Sequence, residues 1–92
     1  MDRAQVQIRD HVLWIAHIRG DEALKAWLMS VPAGALVELE LDGWRASWAK
    51  MTDGKDGRPT PGLRPVGGAE RRWHELQSER GRWLTIQLCE DH

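Results

Sequence analysis

Apolar and polar positions alternate most regularly in the middle of the chain. Ala35-Leu-Val-Glu-Leu-Glu-Leu41 is followed by Asp42-Gly43 and then by Trp44-Arg-Ala-Ser-Trp-Ala-Lys-Met51, the pattern of two strands joined by a two-residue turn. Asp-Gly supplies the positive φ values of a type I′ turn, and that turn sets the register. Leu41 then faces Trp44, Leu39 faces Ala46 and Val37 faces Trp48, six residues on one face. The other face opposes Glu40 to Arg45 and Glu38 to Ser47, and the charge pair is worth roughly 0.2–1 kcal/mol.

Helical spacing flanks this hairpin. Leu24, Trp27, Leu28 and Val31 recur at i, i+3, i+4 and i+7 and predict a helix over 21–30, with Pro32-Ala-Gly34 as the turn into the strand. Ala69, Trp73 and Leu76 predict a second helix over 69–80, with Glu70 near its positive end, Arg80 near its negative end and Gly81 after its last turn. Arg82-Trp-Leu-Thr-Ile-Gln-Leu88 alternates again and predicts the last strand, with Leu84, Ile86 and Leu88 on one side. His11-Val-Leu-Trp-Ile-Ala-His-Ile18 is almost continuously apolar, as a strand covered on both faces would be. A helix over 4–18 is the competing reading, and Val6-Gln-Ile8 could extend the strand or form one of its own.

The resulting order is strand, helix, strand, strand, helix, strand. It predicts an α+β domain over 1–92 with two helices on one face of a four-stranded, mainly antiparallel sheet, the ferredoxin-like split βαβ arrangement. The alternative is a small curled SH3-like barrel with peripheral helices. At 92 residues the chain builds one core, and burial in so short a chain leaves room for stabilisation by a partner subunit.

Between hairpin and second helix lies a Gly/Pro-rich stretch, 52–68, with five Gly and three Pro among 17 residues. Loops beyond about 12–15 residues are usually functional or disordered. Lys55, Arg58 and Arg64 make this one a candidate site for a phosphate or carboxylate. The glycines do not precede the Lys-Ser/Thr of a phosphate-binding loop, and Asp53-Gly-Lys-Asp-Gly57 lacks the acidic spacing of a calcium loop.

Net charge is −1, but unevenly spread. Residues 1–42 hold four basic against seven acidic groups, 43–82 nine against five, and Glu90 and Asp91 close the chain. The overall balance argues against general attraction to nucleic acid or anionic membrane. The longest apolar run, Val12–Ala16, is far short of the ~18 residues of a spanning helix. With one cysteine, Cys89, and no signal-peptide pattern, the cytoplasm is the expected compartment.

No catalytic motif, metal cluster or cofactor fingerprint emerges. His11 and His17 would stand about 20 Å apart on a strand, and Glu70 with His74 is an ordinary i, i+4 surface pair. Six tryptophans with no Phe or Tyr are unusual. The helix stripes and the hairpin face take Trp27, Trp73, Trp44 and Trp48 into the core. On an open sheet face, either Leu13 and Ile15 or, with the opposite strand parity, Trp14 would stand near Trp83 and leave an apolar patch, and such patches mark interfaces. Leu13-Trp-Ile-Ala-His-Ile18 resembles the first-strand signature of RNA-recognition-motif domains, which implies base stacking on Trp14. Asp42-Gly43-Trp44 is acidic where that family is basic. The expected function is therefore a non-enzymatic interaction domain that forms a homodimer through the tryptophan-bearing face. A small-anion-binding module using the loop, and single-stranded RNA binding, are the alternatives.

Overall fold

In the computed structural model, which describes residues 4–89, the hairpin is the centre of the molecule. Leu36–Leu41 (β3) and Trp44–Lys50 (β4) pair in the predicted register, with Leu41 opposite Trp44, Leu39 opposite Ala46 and Val37 opposite Trp48. Asp42 and Gly43 take φ values of 47° and 86°, as a type I′ turn requires. Asp42 does more than turn the chain. Its carboxylate accepts from the Thr85 N–H and from Arg82, both at 2.8 Å, tying the turn to the last strand.

The sheet is larger than four strands. Gln5–Gln7 (β1), Leu13–Trp14 (β2), Gly62–Val66 (β5) and Trp83–Leu88 (β6) join the hairpin in the order β1-β6-β3-β4-β5-β2, every neighbouring pair antiparallel. The two ends of this sheet approach each other. Gln5 of β1 exchanges both backbone hydrogen bonds, at 2.9 and 2.8 Å, with Arg19, five residues after the end of β2. The sheet thus curls into a nearly closed barrel, and the expected four-stranded open sheet is corrected to the SH3-like alternative with peripheral helices.

Two local features account for that correction, the bend in residues 11–18 and the strand within 52–68, while the separate strand at Val6 is the second of the two readings open for it. Residues 11–18 do not form one long strand: β2 is two residues long and runs into a 3-10 turn over Ile15–His17. Leu13, Ile15 and Ile18 still reach the interior, each at most 2 % exposed, so the apolar run is buried by a bend rather than by two covered faces. Val6 belongs to a separate strand, β1. The stretch 52–68 is not one loop, because β5 occupies 62–66 and Leu63 is fully buried. Its Pro65 lies beyond the two residues of β5 that β2 covers, an edge position where a missing N–H is tolerated.

Both predicted helices are present. In Glu22–Ser30 (α1), Asp21 caps the first turn by accepting from the Leu24 N–H at 3.0 Å, and Leu24 and Leu28 are buried. Gly68–Leu76 (α2) continues into a 3-10 turn over Gln77–Glu79 and buries Ala69, Trp73 and Leu76. Trp73 meets Trp48 edge to face at 5.2 Å between ring centroids, a geometry worth about 0.5–1.5 kcal/mol beyond the area it buries. Its indole N–H donates to the Asp10 carbonyl at 2.9 Å, so α2 is anchored to the segment entering β2. The barrel interior and the inner faces of both helices form one core, which includes Val6, Leu39, Trp48, Leu63 and Ile86.

Lys50 is the only buried charged residue among those described, at 2 % exposure. It shares the inward parity of Ala46 and Trp48. Its ammonium donates to the carbonyls of Leu28, Met29 and Val31 at 3.2, 3.0 and 2.9 Å. Leu28 and Met29 belong to the last turn of α1 and Val31 is its C-cap; the Leu28 carbonyl also accepts the Val31 N–H at 3.3 Å, and the negative end of the helix dipole favours a cation there.

Candidate functional site

None of the residues considered for an open apolar face, Leu13, Trp14, Ile15 and Trp83, forms one in the closed barrel. Leu13 and Ile15 point into the core at 1 % exposure each. Trp14 is half-buried, donates its indole N–H to Asp10 Oδ2 at 2.8 Å, and lies against Gly62, where an added Cβ would stand 3.4 Å from the ring. Trp83 is half-buried beneath the Arg19 guanidinium, 3.7 Å from the ring centroid. Arg19 also grips the Gln5 side chain at 2.7 and 3.0 Å. Trp14 and Trp83 therefore serve the barrel wall and its seam. The strand that would carry the RNA-recognition-motif signature is broken after Trp14 by the 3-10 turn.

Lys55, Arg58 and Arg64 are exposed but do not converge on one site. Lys55 and Arg58 stand on the β4–β5 hairpin, whose tip is closed by Gly54 and Arg58 (N–H to carbonyl, 2.9 Å) and by the Thr60 hydroxyl donating to the Thr52 carbonyl. Arg58 is already paired with Asp56 at 3.1 Å. Arg64 stands on β5 opposite Ala49. A cleft of about 370 Å³ opens instead where α2 begins, lined by Leu36, Trp44, Arg45, Ser47, Gly67 and Gly68 among others. Arg45 there leans toward Glu38 at 3.7 Å rather than toward Glu40 across the strand, and Arg72 stands 5.8 Å over the Trp44 ring. Among the described residues no group of three His, Cys, Asp or Glu side chains could hold a metal ion, and no helix is long and apolar enough to cross a membrane.

Three large apolar side chains are exposed among the described residues: Leu36 at 66 %, in the cleft where α2 begins, and Trp27 at 45 % and Leu88 at 38 %, which stand together at α1. Together with Ala23, Leu24, Asp21 and Gln87, Trp27 and Leu88 line a cleft of about 430 Å³ between α1 and the end of β6. On the other flank of α1 a second cleft, of about 340 Å³, is lined by Ile15, Ala16, Ala26, Met29 and Pro61, with Glu22 and Lys25 beside them. Ala23 and Ala26 are exposed between the two. A helix on a protein's surface normally turns a polar face outward; α1 turns outward alanines and a tryptophan, flanked by one acid and one base.

Sequence periodicity assigned Trp27 to the buried stripe because it stands at i+3 from Leu24. The helix buries Leu24 and Leu28 and leaves Trp27 at the stripe's margin. The signal for this surface lay in the polar positions, since α1 offers only Glu22, Lys25 and Ser30 to water. Leu88 shares the parity of Leu84 and Ile86 and still pairs with Leu39 of β3, but β6 has there passed the residues that β1 covers, and the side chain is 38 % exposed.

Comparison with protein-family models, with curated proteins and with solved structures finds no match to this chain.

Proposed function

We propose that the protein is a self-associating interaction domain whose docking surface is the outward side of α1 with the adjoining end of β6. The observation that carries this reading is the juxtaposition of half-exposed Trp27 and Leu88 over an apolar cleft. Tryptophan is the residue most enriched among the few that dominate binding energy at protein interfaces, and contiguous apolar patches rimmed by polar groups mark such interfaces. The surface replaces the open sheet face expected from the strand pattern, while the class of function stays the same.

Sedimentation velocity across a concentration series tests the reading. The wild-type chain is expected to populate a dimer, and Trp27→Lys and Leu88→Lys each to shift the distribution to monomer with the fold retained by circular dichroism. A wild-type chain that stays monomeric into the high micromolar range would overturn it.

A further inference from the structure

The outward side of α1 is complementary to itself. Viewed down the helix, Ala26 stands at the centre of the solvent-facing side, with Ala23 and Trp27 to one flank and Glu22, Lys25 and Met29 to the other, as 100° per residue dictates. One flank holds a large side chain four residues from a small one. The other holds a carboxylate three residues from an ammonium, 3.6 Å apart in the single chain with the Glu22 side chain 83 % exposed.

Resting on the self-association proposed above, we infer that α1 packs antiparallel against α1 of a second copy, across a two-fold axis passing between Ala23 and Ala26. In an antiparallel pair each flank meets the same flank of the partner, so one two-fold operation satisfies both features. Trp27 of each copy seats over Ala23 of the other, where the absence of a long side chain lets the ring lie flat on the helix. On the opposite flank Lys25 of each copy comes beside Glu22 of the other. The two alanines nearest the axis let the backbones approach closely, and the helix dipoles run antiparallel, the favourable sense. A two-fold interface must be built from one patch complementary to itself, and a patch carrying both knob and hole, and both charges, meets that requirement. A parallel pair would bring unlike flanks together, with Trp27 facing Lys25.

Charge reversal tests the arrangement. Glu22→Lys leaves two lysines facing each other across the pair, and Lys25→Glu leaves two glutamates. Each variant alone is expected to dimerise about tenfold more weakly than wild type, since two symmetry-related exposed ion pairs both become like-charged. An equimolar mixture of the two restores both pairs in a heterodimer, and its dissociation constant is expected to return to within about threefold of wild type. A helical circular-dichroism signal in each variant confirms that the comparison is between folded chains. If wild type dimerises and the mixture is no tighter than its components, the antiparallel α1 pairing is overturned while self-association stands. If wild type does not dimerise, both fall and the surface belongs to a different partner.

Discussion

Lys50 carries an ammonium into the interior without a carboxylate beside it, and three helix-terminal carbonyls receive it instead. Replacing it by Met keeps the apolar stem but removes the ammonium from all three carbonyls, of which only Leu28 keeps another donor, the Val31 N–H. Hydrogen bonds to a charged group are worth about 1.5–3 kcal/mol, and an unsatisfied buried acceptor carries its full desolvation penalty. Lys50→Met is expected to lower stability by about 2–3 kcal/mol in urea denaturation; a loss under 0.5 kcal/mol would mean that water replaces the ammonium. Asp42 divides two roles that substitution can separate. Asp42→Asn keeps the positive φ and an oxygen for the Thr85 N–H but loses the charge facing Arg82, and about 0.5–1 kcal/mol is expected to go with it. Asp42→Ala loses all three, with about twice that effect. Equal midpoints for the two variants would remove the ion pair from the account. Lys50's position on the inward side was legible in the parity Ala46, Trp48, Lys50, but its partners were not, because they come from a helix 19 to 22 residues earlier.

Elements specified by short-range rules were readable along the chain, and those specified by closure were not. The β3–β4 register followed from one Asp-Gly dipeptide, and both helices from their stripes. β5 was hidden because three prolines and five glycines around it outweighed Leu63 and Val66, and because its value lies in pairing with β2 and β4 rather than in its own propensity. β1 and β2 are three and two residues long, too short for alternation to declare them. The seam between β1 and Arg19 is held by two backbone bonds, the Arg19–Gln5 side-chain contacts and the stack on Trp83. Arg19→Ala removes the last two, and the stack alone is worth about 0.5–1 kcal/mol at an exposed site. The Gln5 and Arg19 amides are then expected to exchange with deuterium several-fold faster, while the β3–β4 amides change only as far as global stability does. Uniform acceleration over all strands would show that the seam does not open separately.

At the scale of the molecule, closure decided where function could reside. An open sheet would leave Leu13 and Ile15, or Trp14, facing water. The barrel turns Leu13 and Ile15 inward and takes Trp14 and Trp83 into its wall, which leaves Trp27 of α1 with Leu88 of β6, and Leu36 of β3 apart from them, as the large apolar side chains exposed among the described residues. Sequence periodicity reports which positions are apolar but not which face the sheet will enclose. Self-association through α1 is the claim on which the functional account depends. The most direct measurement is molar mass by size-exclusion chromatography with light scattering, from low to high micromolar protein, for the wild type and Trp27→Lys. The account predicts a wild-type mass approaching twice the 10.5 kDa chain as concentration rises, with the variant remaining at the monomer mass. A wild-type mass of one chain throughout, or a dimer indifferent to Trp27→Lys, would contradict it.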